Sequence, residues 1–235
     1  MDLMLPRERK SIETKKKIVE AAGRLMKEYD FRYLTVKNVC EEAGVAYGSF
    51  YHHFGSKENV VYAYCKELLD GLMEANPYPD YIPEFNFVTR IIWKFLVYAK
   101  YCELMGKDII GYLIQNCSDD LFFDTYFKPC VVDVIEKAFE EGLVNMGPHP
   151  ERLPFISDDV LVVYKGVVMC WFNNLDVKTH RGRLMIGMEH VLFQMLSNFR
   201  SPLYLDKTGR GHIMITDKED FDDLFVLTPE LLEKA

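Results

Sequence analysis

Apolar side chains recur three and four residues apart along most of this chain, which is the period of one face of an α-helix. Ile18, Ala22, Leu25 and Tyr29 keep that spacing, as do Phe87, Ile91, Phe95, Tyr98, Cys102 and Met105. Val160, Tyr164, Val167 and Trp171 repeat it, and so do Met185, Met188, Leu192, Met195 and Phe199. Before residue 210 no stretch alternates apolar and polar in the manner of a half-buried strand. The expected fold class is all-α. The 235 residues, 49% of them apolar, suffice for one large domain or two small ones around a sizeable core. No apolar run reaches the ~20 residues that cross a bilayer. Residues 1–7 lack the basic-then-apolar layout of an export signal. A cytoplasmic protein with no membrane partner is expected. The six cysteines never fall within three residues of one another, and most have apolar neighbours, so they read as buried thiols in a reducing compartment.

Breaks in the periodicity set the element boundaries. A first helix is expected over 13–29, with Lys15, Lys16, Arg24 and Lys27 opposite its apolar face. Thr35 is a natural N-cap for a short helix from Val36 to Ala43, and Gly44 suits the left-handed residue that ends it. Another short helix follows near Tyr47–Phe54. Ser56 then caps a fourth that runs through Val60, Val61, Tyr64, Leu68 and Leu72, with Glu58 at its positive end. Three prolines between Asn76 and Pro83 make a connector. Beyond the helix starting near Phe87, a short one is expected at 107–117 and a longer one at 121–143, bent near Pro129. Helices at 157–174 and 181–200 follow, the second stopped by Pro202. In the tail, 207–211 reads as a turn, His212–Thr216 as a short strand and 217–223 as an acidic stretch. A terminal helix, capped by Thr228 with Pro229 first, closes the chain. The tail is either a free extension or an arm on its own subunit or a partner, anchored by Phe221, Leu224 and Phe225.

Charge is divided unevenly. Of the net −8, residues 1–70 carry +1 and the remainder −9, and the first 27 residues hold 8 basic against 4 acidic side chains. An acidic body repels polyanions while a basic N-terminal patch, including Lys15-Lys16-Lys17, attracts them locally.

The chemistry concentrates between Thr35 and Lys57. Two short helices joined at Ala43-Gly44-Val45 form a helix-turn-helix, whose second helix enters the major groove in DNA-binding proteins. That helix carries Tyr47, Gly48, Ser49, Tyr51, His52 and His53, which are short or hydrogen-bonding side chains, while Phe50 and Phe54 face inward. The block Thr35-Val36-Lys37-Asn38-Val39-Cys40-Glu41-Glu42-Ala43-Gly44-Val45-Ala46-Tyr47-Gly48-Ser49-Phe50-Tyr51-His52-His53-Phe54-Gly55-Ser56-Lys57-Glu58 closely resembles the DNA-binding domain of the tetracycline-repressor (TetR) family. The likeness extends over roughly residues 12–66, about a quarter of the chain.

The resemblance implies a homodimeric regulator, usually a repressor released from a palindromic DNA operator by a small-molecule inducer. It divides the chain into a DNA-binding head (1–55), a ligand-binding and dimerisation body (56–201, with a connecting helix at 56–75) and an extension (202–235). DNA contacts are expected from Thr35, Ala46, Tyr47, Gly48, Ser49, Tyr51, His52 and Lys57. Ala46, Tyr47 and His52 would meet bases or adjoining backbone, and Thr35, Ser49, Tyr51 and Lys57 would meet phosphate. Ala46 stands where the family commonly places a capping Ser or Thr. The family's interface lies on its last two long helices. Here Val162, Val163, Val168, Met169 and Phe172 extend the apolar stripe of 157–174 around the helix, as a helix burying two faces requires. Val160, Tyr164, Val167, Met188, Leu192 and Met195 are the expected contacts.

The body's aromatic content suits a mostly apolar ligand, with Trp93, Tyr98, Tyr112, Phe127, Tyr164 and Trp171 as candidate contacts. There is no Gly-x-Ser-x-Gly, His-Glu-x-x-His or Walker sequence, so neither an enzyme, a cofactor nor a metal is expected. The alternative is a helix-turn-helix adaptor that works mainly through a protein partner.

Overall fold

The computed structural model describes residues 5–29, 34–116, 127–148, 150–173, 184–208, 225–229 and 231. Among them every element is helical, apart from a single antiparallel bridge between Val144 and Arg200. The fold is all-α.

Helix α1 (Pro6–Glu28) begins well before residue 13. Proline is pre-set for a first helical turn, and the Leu5 N–H donates to the Glu8 carboxylate at 3.0 Å, which satisfies one of the orphan donors there. Ile18, Val19, Ala22 and Met26 are buried, whereas Tyr29 lies beyond the helix end and is 60% exposed, so the inner stripe stops at Met26. Helices α2 (Val36–Ala43), α3 (Tyr47–His53) and α4 (Lys57–Ala75) follow with the expected boundaries. The Asn38 N–H donates to the Thr35 hydroxyl at 3.1 Å and the Asn59 N–H to the Ser56 hydroxyl at 3.3 Å, so both caps are in place.

Helix α5 (Phe87–Asn116) joins two segments expected to be separate, across a kink at Gly106. There φ is 77°, a conformation that interrupts the ladder and that a residue with a Cβ avoids. In α6 (Lys128–Glu140), Pro129 sits in the first turn, where its missing N–H costs nothing, and the residues expected before it, from 121, lie outside the described ones. After a short 3₁₀ turn come α7 (Leu153–Phe172) and α8 (Leu184–Ser197). Pro202 does not stop a helix, because α8 has already ended at Ser197. It opens α9 (Pro202–Thr208), which therefore takes in Lys207 and Thr208 from the expected turn. The Tyr204 N–H donates to the Ser201 hydroxyl at 3.1 Å, which caps α9. The expected strand at His212–Thr216, the anchors Phe221 and Leu224, and the starts of the helices expected at 121 and 181 lie outside the described residues.

Three-helix packing of α1, α2 and α3 makes the head, and α1 also lies along α4. In the body α5 is central, packed against α4, α6, α7 and α8. The described part of the tail lies on its own subunit. Phe225 stacks on Trp93 with ring centroids 5.5 Å apart. The Asn76 side chain, at the end of α4, accepts the Val226 N–H at 2.7 Å and donates to the Val226 carbonyl at 3.1 Å. Leu231 sits against Gly71 of α4.

The contact of α1 with α4 is set by the absence of a side chain. A Cβ on Gly23 would lie 2.2 Å from the buried ring of Tyr64, far inside van der Waals contact. Gly23→Ala therefore must displace that ring, and an overpacked core of this kind loses about 1–3 kcal/mol. Urea unfolding should show a lower midpoint at unchanged slope; a wild-type midpoint would mean that the ring moves aside freely.

Candidate nucleic-acid interface

The helix-turn-helix is built from local hydrogen bonds. Gly44, at φ 64°, turns the chain, and the Val45 N–H donates to the Cys40 carbonyl at 3.0 Å. Arg24 of α1 pairs with Glu42 of α2 at 2.8 Å, a half-exposed link that orients α2 more than it stabilises it. Phe50 is fully buried and packs against buried Phe54 at 6.1 Å, so one side of α3 is committed to the core. The Phe54 carbonyl accepts from the Asn59 side chain at 2.6 Å, which ties the end of α3 to α4.

With Phe50 and Phe54 inward, Tyr47, Gly48, Tyr51 and His52 face outward. Tyr47 is 48% and Tyr51 55% exposed, so Tyr51 is a surface residue whose ring rests edge-on against Phe50. Thr35 and Ala46 are exposed beside them, and Ser49 is half-buried. Lys57 departs from this group. Its ammonium lies 5.6 Å from the centre of the Tyr112 ring, where α5 meets the start of α4. Tyr112 also donates its hydroxyl to Glu58 at 3.0 Å. Hydrogen bonds from its own backbone N–H, then from Ser56 and Tyr112, hold the Glu58 carboxyl below the ordinary range.

Between the first turns of α1 and the outer side of α3 lies a cleft of about 440 Å³. Arg7, Lys10, Ser11 and Thr14 form one wall, and Gly48, Ser49, His52 and His53 the other, with no carboxylate between them. The two imidazoles are 5.2 Å apart. Burial first, then the nearness of His52 and Lys15, pushes the His53 imidazole below its ordinary value. Arg7 and Lys10 were not recognised as site residues because periodicity starts the helix at 13. The readable signal was Pro6-x-Glu8, a proline at the first helical position with a glutamate two residues on.

The body candidates divide. Tyr98, Phe127 and Tyr164 meet in one cluster with Phe95, their ring centroids 4.9–5.2 Å apart across Phe95–Tyr164, Tyr98–Phe127 and Tyr98–Tyr164. Trp93 lies elsewhere, under Phe225, its indole N–H donating to the Pro77 carbonyl at 3.0 Å. Tyr112 belongs to the contact between α5 and the start of α4, and Trp171 is half-buried beside Lys107. Of the residues expected between subunits, Val160, Tyr164, Met188 and Leu192 are buried within the subunit itself, because α7 and α8 pack on α5 through them. Val167 and Met195 are half-buried. The outward apolar side of α7 is instead Phe155, Val162 and Met169, with Val162 70% exposed.

Residues 18–64 match the model of bacterial regulatory proteins, tetR family. The likeness to that family lies in residues 18–64. The helix-turn-helix and the first part of α4 fall within that match. The HTH-type transcriptional repressor KstR2 of Mycobacterium tuberculosis is 39% identical over 57 residues, 24% of this chain and 26% of that protein. KstR2 of Rhodococcus jostii is 38% identical over 55 residues, 23% of this chain and 27% of that one. These matches thus span about a quarter of the relatives' length. The likeness of fold reaches further. FadR of Thermus thermophilus, a TetR-family transcriptional repressor in complex with lauroyl-CoA, superposes with a TM-score of 0.58 at 19% identity. It covers 80% of this chain and 97% of that one. NalD of Pseudomonas aeruginosa, the secondary repressor of the MexAB-OprM multidrug efflux pump, superposes at 0.51 with 16% identity, over 82% of this chain and 99% of that one.

In this head α3 is uncapped at its start. Ala46 has the extended backbone of an N-cap but no side-chain acceptor, so α3 is held at that end by Phe50 and by the backbone bonds to the Ala46 carbonyl. Ala46→Ser supplies the missing acceptor and should raise stability by about 1 kcal/mol. Thermal unfolding reads the gain, and an unchanged midpoint would show that the N–H groups there already have partners.

Proposed function

We propose that this chain is a sequence-specific DNA-binding regulator, a homodimeric repressor that leaves a palindromic operator when a small, mostly apolar ligand enters the body. The observation that carries this reading is the outer side of α3, where Tyr47, Gly48, Tyr51 and His52 stand exposed on a helix anchored by Phe50. Hydrogen-bonding side chains on a thin helix suit the base edges of a major groove. Thr35, Ser49 and Tyr51 are placed for phosphate, which sets register and much of the affinity. In this reading the division into head (1–55), body (56–201) and extension (202–235) is functional. Support comes from the repressor names of the relatives and from FadR, whose lauroyl-CoA is an apolar acyl chain on a polar carrier.

The same reading gives the body two tasks. A ligand parting the rings of Tyr98, Phe127 and Tyr164 would shift α5, and the part of α5 beyond Gly106 carries Tyr112 to Glu58, at the start of α4. That bond ties α5 to the start of α4, the helix that leads out of the head. Pairing of subunits uses the outward side of α7. Phe155, Val162 and Met169 recur every seven residues there, and Gly166 leaves room for a second helix.

Selection of genomic fragments by the purified chain at ~150 mM salt, where non-specific binding fades, tests the reading. An enriched palindrome supports it; no enrichment would overturn it. Against the selected sequence, Tyr47→Ala should relax base preference with a loss of about 1–3 kcal/mol on that sequence and little on others. Equal losses on every sequence would remove Tyr47 from base readout. Val162→Asp, at an exposed position that does not disturb the core, should give a monomer by light scattering; an intact dimer would place the interface elsewhere.

A further inference from the structure

The cleft between α1 and α3 adds to the DNA-binding reading and rests on it. We propose that this cleft seats a DNA phosphodiester, and that His53 takes up a proton as the phosphate enters, so that operator binding strengthens as pH falls.

The donors in the cleft fit one ligand chemistry. Arg7 and Lys10 supply positive charge, Ser11 and Ser49 supply hydroxyls, and His52 and His53 supply imidazoles. No carboxylate lines the cleft, so an anion entering it meets donors alone. Gly48 keeps the recognition-helix wall low, since a Cβ there would meet no atom within 4 Å. A phosphodiester has the charge and the acceptor oxygens for these groups, and the cleft opens beside the helix expected to enter the groove.

The proton follows from what surrounds His53. On its own helix the neighbour is His52, at 5.2 Å. On α1 the charged groups nearby are Lys15, whose ammonium lies 5.9 Å from the Phe54 ring, and Arg7 and Lys10 in the opposite wall. On α2 the charged side chains are engaged among themselves or with α1: Lys37 with Glu41, and Glu42 with Arg24. At the start of α4, Lys57 lies over Tyr112 and Glu58 accepts the Tyr112 hydroxyl. Glu8 in the first turn of α1 is engaged by the Leu5 N–H, and among the described residues no carboxylate lines the cleft. Burial first, then the nearness of His52 and Lys15, holds the His53 imidazole below its ordinary value in the free protein. A phosphate brings negative charge and favours the imidazolium. The bound complex then holds the proton more tightly than the free protein does. Affinity is greatest below the free-protein value and declines as pH rises toward the bound value.

Fluorescence anisotropy of the full chain on a labelled duplex bearing the selected palindrome, between about pH 5.5 and 8 at fixed ionic strength, reads this directly. Wild type should lose affinity with rising pH, by up to about tenfold per unit for one proton, and His53→Gln should bind with a flat profile. The exposed pair Arg7→Gln and Lys10→Gln should keep base preference while the salt slope falls by about two. A flat wild-type profile, or one that persists unchanged in His53→Gln, overturns the proton uptake. An unchanged salt slope in the double variant overturns the phosphate seat, although specific DNA binding would survive it. If wild type binds no duplex specifically at any pH, it is the underlying DNA reading that fails.

Discussion

Burial of Phe50 decides what the rest of this molecule presents. A seven-residue helix is too short to persist in water by itself, and α3 also lacks a side-chain cap. It exists because Phe50 and Phe54 pack into the head and Asn59 closes its last carbonyl from the next helix. Once those rings point inward, the helical period forces Tyr47, Gly48, Tyr51 and His52 outward. The interface is a consequence of the core.

The head is not free to move alone, because α4 is gripped along its length. Tyr64 lies in the space left by Gly23 of α1, and Glu58 is bonded to Tyr112 beyond the kink of α5. At its far end Asn76 and Gly71 are met by Val226 and Leu231 from the chain's last residues, while Phe225 covers Trp93. A displacement inside the body therefore meets α4 at identifiable contacts. The tail is one of them.

Much of this was legible before the structure. The Thr35 and Ser56 caps, the left-handed Gly44 and the inward Phe50 and Phe54 are local features, written in residue type and spacing, and family likeness reinforced them. The misreadings share one cause. A periodic pattern alone misplaces the helix ends at Tyr29 and Pro202, because helix ends depend on which hydrogen-bond partners lie nearby. Pro6 and Glu8 carried a start signal that the apolar stripe of α1 does not show. The aromatic candidates are buried or half-buried side chains that the fold distributes to different places. Spacing shows that Trp93 and Tyr98 are apolar positions; it does not show that one lies under the tail and the other in the ring cluster. Val160 and Met188 went to the subunit's own core for the same reason, since a helix with two apolar sides does not announce which one faces a partner.

Sequence by itself determined the all-helical class, the head and the chemistry of α3, because caps, turns and helical faces are set by residues a few positions apart. Tertiary structure alone decided which apolar side of α7 is left outward, that Lys57 and Tyr112 join the start of α4 to α5, and that Arg7 and Lys10 stand across a cleft from His53. Those are distances between residues far apart in the chain, and only the packing of one helix on another sets them.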